Sequence, residues 1–141
     1  MIYAVIDTNV LVSALLSRHP DAATVQVVAA ISKSGFRPLY NQEILAEYRD
    51  VLSRSKFSFP TQAIASIIDA IQEMGVLSNR VESKEYFPDP KDIVFYEVAM
   101  SKNDAYLVTG NTKHFPKKPI VVTPAEMLEI LKGTQSPYPR V

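Results

Sequence analysis

The chain has 141 residues, with fifteen basic and fifteen acidic side chains, and 47% of its residues are hydrophobic against 21% charged. That length suits one domain with one core, the near-average apolar and charged fractions favour neither disorder nor a fibrous repeat, and the balanced charge argues against a protein that coats nucleic acid by bulk charge. With no cysteine in the sequence, disulfides, thiolate metal sites and cysteine nucleophiles are excluded, and any metal must be held by oxygen or imidazole.

Ile2 to Ile6 is a nearly continuous apolar run closed by Asp7-Thr8-Asn9, the pattern of a strand buried on both faces of a parallel sheet. It carries no basic leader, and no apolar stretch approaches the ~20 residues that span a bilayer, so a cytoplasmic protein without a membrane partner is expected. Val10 to Leu16 is apolar, and Asp21 is placed to cap a crossover helix running to about Ser34, with Gly35 to end it. Arg37 to Tyr40 reads as a second strand. From Asn41, the residues Ile44, Leu45, Tyr48, Val51 and Leu52 recur at helical spacing, with Glu47 at the edge of their stripe.

Thr61 to Gly75 reads as a helix with Ile64, Ile67, Ile68 and Ile71 on one core face, Thr61 as cap and Gly75 as stop. The pattern then weakens to Phe87, with one short strand expected near Arg80 to Val81. Asp89-Pro90 opens a helix to about Ser101, with Asp92 in its first turn. Ala105 to Thr109 is a third buried strand, ending in Gly110-Asn111, and Ile120 to Val122 a fourth. Thr123-Pro124-Ala125-Glu126 has the spacing of a capping box before a last helix to Leu131, with Gly133 beyond it.

Strands alternate with helices and no linker or repeat divides the chain. The expected fold is therefore a three-layer α/β/α sandwich around a parallel sheet of four to five strands, formed by residues 1–133 and followed by a loose tail at 134–141. Ligands of such sheets collect outside the carboxyl ends of the strands, where Asp7 and Asn111 stand. Asp92 lies in the apolar stripe of Phe95, Tyr96 and Ala99, which aims its carboxylate toward the sheet. Buried carboxylates without an Arg or Lys in the same stretches call for a divalent cation, and oxygen donors suit Mg²⁺ or Mn²⁺.

Asp7-Thr8-Asn9 after the first strand, Glu47 in Glu-Tyr-Arg-Asp-Val-Leu, Asp92 with Ala99 seven residues on, and Leu107-Val108-Thr109-Gly110-Asn111 occur in an order that resembles the PIN-domain nucleases, in particular the VapC-like toxins of toxin–antitoxin pairs. The resemblance covers nearly the whole chain. It implies a Mg²⁺- or Mn²⁺-dependent endoribonuclease with Asp7, Glu47 and Asp92 as catalytic metal ligands and Thr8, Asn9, Thr109 and Asn111 around them or on the substrate. It also implies RNA as substrate and an antitoxin protein as partner. Many relatives carry a fourth acid after the strand ending at Thr109, where this chain has Asn111, with His114 three residues on. Arg18, Lys113 and His114, with His19, Lys117 and Lys118 beside them, are candidates for an RNA-facing rim. Relatives use helices near the isoleucine face of residues 64–71 to dimerise or to receive an antitoxin segment, so a homodimer is compatible with it.

Each acid also has a plain reading. Asp7 suits a helix cap, Glu47 a solvated helix face, and Asp92 a capping box with Asp89. Asp89 itself reads as a cap, Asp104 as a turn residue and Glu97 as part of an exposed face. Two other functions compete: a PIN-fold module that binds RNA or protein with weak catalysis, suggested by Asn111, and a phospho-acceptor domain using Asp7, disfavoured because Asn9 stands where aspartyl phosphatases have a second Asp.

Overall fold

The computed structural model describes residues 1–133; the tail expected at 134–141 lies outside them. Five parallel strands, β1 (Tyr3–Ile6), β2 (Arg37–Tyr40), β3 (Val76–Leu77), β4 (Tyr106–Val108) and β5 (Val121–Val122), form one sheet in the order β3-β2-β1-β4-β5. Six helices connect or follow them: α1 (Thr8–Leu16), α2 (Ala23–Ser32), α3 (Gln42–Leu52), α4 (Thr61–Met74), α5 (Ile93–Ala99) and α6 (Pro124–Lys132). From β1 the chain steps outward through β2 to β3, then crosses back to β4 on the other side of β1. Right-handed crossovers in opposite directions put α1–α4 on one face and α5 on the other. In agreement, α2 packs on α1, α4 and α6, while α5 lies across β1, β2 and β4. The expected α/β/α sandwich is thus the observed one.

The central strand is the most deeply buried. Ala4, Val5 and Ile6 are inaccessible to solvent, and so are Leu107 and Val108 of β4 beside them. The isoleucine face of α4 is core as expected, with Ile68 and Ile71 buried and Ile64 and Ile67 half-buried against the same cluster.

Several local expectations are corrected. Residues 8–16, noted in the sequence only as an apolar stretch, form a helix of their own, α1. Helix α2 is capped at Ala22, one residue past Asp21, whose backbone carbonyl instead accepts the side-chain amide of Gln26 at 2.7 Å. It stops at Ser32, and the left-handed residue beyond it is Ser34 (φ 60°), not Gly35. Pro60 precedes α4 and its carbonyl accepts the amides of Ala63 and Ile64, so Thr61 is the first helical residue and not the cap.

The third strand lies at Val76–Leu77 and not near Arg80–Val81. Its cause is Gly75, where the chain turns directly from α4 onto β2: a Cβ there would stand 2.2 Å from the Ile71 carbonyl and 2.5 Å from that of Pro38. Asp89 does cap the next segment, through the Lys91 amide at 2.9 Å, but Pro90–Asp92 form a 3-10 turn and α5 ends at Ala99, short of Ser101. The capping box of α6 is present in both directions, and Gly133 ends that helix in the left-handed region at φ 71°.

Candidate active site

The sheet order reverses between β1 and β4, and crevices for ligands open outside the strand ends at such a reversal. A cavity of about 220 Å³ lies there, and Asp7, Thr8, Glu47, Asp89 and Asp92 line it together with Lys91, Arg54 and the ring of Phe95. The three acids singled out in the sequence therefore share one cavity, although they lie far apart in the chain.

Asp7 is the residue after β1, continued into the sheet by its amide, which donates to the Val108 carbonyl at 2.9 Å. Its side chain is only 6% exposed, and the Thr109 hydroxyl donates to Oδ2 at 2.7 Å. Burial pushes its carboxyl up to about 6, and the charge of Asp92 adds to the rise, while the Thr109 hydrogen bond opposes it. Asp92 ends the 3-10 turn that leads into α5. Its pKa is also raised, first by burial and then by Asp89, with His114 opposing and Glu47 adding to the rise. The buried Oδ2 of Asp92 has no hydrogen-bond partner, although His114 Nδ1 stands 3.5 Å away.

Glu47 is half-buried on α3. The next residue, Tyr48, fixes that helix: its hydroxyl donates to the Ile6 carbonyl at 2.5 Å and its ring packs 6.2 Å from that of Phe95. A tyrosine at the centre of the stripe thus ties α3 to the end of β1, one residue before Asp7.

The surrounding residues divide. Thr8 lines the cavity with a buried hydroxyl that lacks a partner. Thr109 holds Asp7 and also accepts the Asn111 amide at 2.9 Å. Asn9 accepts the Gly110 amide at 3.2 Å and so joins the end of β1 to the end of β4. Asn111 is exposed and, like Arg18, is not part of the cavity lining. Two cations that sequence reading missed do line it: Arg54, held by Asp50 at 3.1 Å, and Lys91. Glu97, expected on an exposed face, is only 6% exposed. Its partner Arg80 lies seventeen residues earlier, so no local pattern signals the burial.

Divalent metal chemistry has to be tested against these side chains. Among the described residues, no three His, Cys, Asp or Glu side chains are drawn together as a ready cation cage. The donors nonetheless fit a hard cation: Asp7, Glu47 and Asp92 offer only oxygen, and among the described residues Asp92 Oδ2 and Thr8 Oγ1 are buried without a hydrogen bond. Mg²⁺ keeps several of its own waters and is commonly held by one or two carboxylates, so a preformed three-carboxylate cage is not required.

The sheet order and the acids at its reversal point define an α/β domain with a ligand crevice at the switch point, and the chain belongs to the PIN domain family, a family of nuclease type. The family model matches residues 3–113, which takes in Asp7, Glu47, Asp92 and Thr109. A comparison with curated proteins finds no match. No described helix is long and apolar enough to cross a membrane.

Proposed function

We propose that this protein is a divalent-metal-dependent endoribonuclease in which Asp7, Asp92 and Glu47 hold Mg²⁺ or Mn²⁺. The observation that carries this reading is the shared cavity, which Asp7 and Asp92 line together, with Asp7 desolvated and one Asp92 oxygen buried without a hydrogen bond among the described residues, His114 standing 3.5 Å from it. Burying carboxylates together raises the free energy of their charged forms, and a cation between them reverses that penalty. When bound, such a cation activates water and neutralises charge on a phosphodiester.

The protein's own residues do the rest. Thr109 orients Asp7, and Tyr48 sets α3 and with it Glu47. Lys91, at the cavity wall, offers a cation to an incoming phosphate. The ordered motifs that resemble VapC-like toxins further support a toxin role in the cytoplasm, with an antitoxin that covers this cavity.

Cleavage of an unstructured RNA in Mg²⁺, in Mn²⁺ and in chelator tests the reading. Asp7→Asn and Asp92→Asn should each lower turnover on the order of 100-fold or more and weaken Mn²⁺ binding in calorimetry. Equal cutting in chelator, or undiminished activity in both variants, rejects it. The second reading, a PIN-fold module that binds RNA without cutting, is favoured by the exposed neutral Asn111 and the lack of a ready cage among the described residues. RNA binding with no turnover in either metal supports that alternative.

A further inference from the structure

A second cavity, of about 890 Å³ and so roughly four times the volume of the acidic one, lies beside β5 at the open edge of the sheet. The catalytic reading makes no use of it. Part of its lining belongs to a 3-10 turn, Thr112–His114. Thr112 and Lys113 line the large cavity, while the next residue, His114, stands 3.5 Å from Asp92 of the acidic one. One three-residue turn therefore touches both sites.

The large cavity has two kinds of surface. Pro116, Pro119 and Val121 make an apolar floor, backed by the buried Phe115, whose ring meets that of Phe87 edge to face with centres 6.3 Å apart. Lys113, Lys117 and Lys118 supply the charge. Lys118 is engaged by Glu85 at 3.6 Å, and Glu126 is engaged in the capping box of α6, where it accepts the Thr123 amide at 2.8 Å. Among the described residues Lys113 and Lys117 have no acidic partner. Two exposed free cations beside an apolar floor match a nucleotide, which presents an anionic phosphate and an apolar base face. Simple anion capture would need the cations and not the floor.

With the nuclease reading as its basis for the choice of polyanion, we propose that this cavity is a binding site for single-stranded RNA flanking the scissile phosphate. Lys113 and Lys117 pair with successive phosphates, and an unstacked base rests on the Pro116 and Pro119 surface, backed by the buried Phe115 ring. These lysines hold the flanking phosphates, which the carboxylates alone would repel. Net neutrality of the chain is compatible with such a local basic patch.

The test is binding of a fluorescein-labelled oligouridylate in chelator, so that no turnover occurs, followed by anisotropy over a range of salt. Each phosphate contact on a single strand contributes about 0.7 to the slope of log K against log salt, so Lys113→Gln/Lys117→Gln should reduce that slope by about 1.4 and weaken binding roughly tenfold at moderate salt. An oligonucleotide of the same charge with abasic sites should bind at least about fivefold more weakly than oligouridylate to the parent protein. An unchanged slope in the double variant overturns the site. Equal binding of abasic and normal strands overturns the assignment to a nucleotide, as does tighter binding of an acidic peptide. The nuclease reading fails separately: a protein that shows the predicted slopes but cuts no RNA in either metal keeps this site and loses that activity. One that cuts RNA while the double variant binds normally keeps the activity and loses the site.

Discussion

The guanidinium of Arg80 meets the buried carboxylate of Glu97 on α5 at 2.7 Å, and its other arm reaches Glu43 on α3, also at 2.7 Å. The Ser83 amide donates to the second Glu97 oxygen at 2.7 Å, and the Val81 amide donates to the Glu97 backbone carbonyl at 3.1 Å. The irregular segment after β3 is thus fastened to both helices that supply candidate ligands. Glu43 lies one turn before Glu47 on α3, and Glu97 lies just over one turn after Asp92.

Arg80→Met leaves the Glu97 charge in a nearly closed site with only the Ser83 amide to satisfy it. Breaking a buried pair from one side costs about 3–5 kcal/mol, and the partial exposure of Arg80 puts the expected loss lower, at about 2 kcal/mol. Urea unfolding should show that loss, and Arg80→Met/Glu97→Met should recover most of it. A single variant as stable as the parent would mean that the pair holds nothing in place.

Gly75 sits at a tight junction between α4 and β3. Because the atoms that a Cβ would meet at 2.2 and 2.5 Å are both backbone carbonyl oxygens, no side chain can swing aside to admit it. Gly75→Ala should therefore separate β3 from β2 and cost about 3 kcal/mol or more, whereas Gly35→Ala, whose nearest neighbour is the Ala30 side chain at 3.2 Å, should cost less. Thermal unfolding of the two variants compares them directly.

The contrast between these elements and the ones read correctly from sequence is physical. β1, β2 and α6 are specified by residues within a few positions of each other: an apolar run, a stripe, a capping box. Asp7, Glu47 and Asp92 were legible because short ordered motifs surround each of them, and their shared cavity confirms only their proximity. The third strand was misplaced because its position is set by a close approach of Gly75 to Pro38, which local pattern does not record. Glu97 was read as solvated because the cation that compensates it comes from seventeen residues away. The links from Thr109 to Asp7 and from Tyr48 to Ile6 depend likewise on tertiary neighbours.

Asp7 makes stability fall as pH rises through the acid range. Its carboxyl titrates near 6 in the folded protein and about 3.9 in an unfolded chain, so between these values the native state holds a proton that the unfolded state has released. Stability from this group is complete below about pH 4 and lost by about pH 6, a change of about 3 kcal/mol. Without divalent metal, Asp7→Asn should abolish that slope and become the more stable protein near neutrality. With Mn²⁺ present, the parent should gain stability over the same window as the carboxylate becomes free to bind. Parallel pH profiles of melting temperature for the two proteins would contradict the assignment.

Thr109 sets where that window lies. Its hydroxyl donates to Asp7 Oδ2 at 2.7 Å, and this bond favours the charged carboxylate against the pull of burial. Thr109→Val keeps the shape of the side chain and removes the donor, so the Asp7 carboxyl should move above its present value and Mn²⁺ binding should develop at higher pH. The same change leaves the Asn111 amide without its acceptor, and at neutral pH the two losses together should cost about 1–3 kcal/mol. Thr109→Ser restores the hydroxyl and should return the pH midpoint of Mn²⁺ binding, measured by calorimetric titration, close to that of the parent. A midpoint that stays put in Thr109→Val would show that burial alone governs Asp7. A midpoint that moves in both variants would mean that packing around the Thr109 methyl matters more than the hydrogen bond.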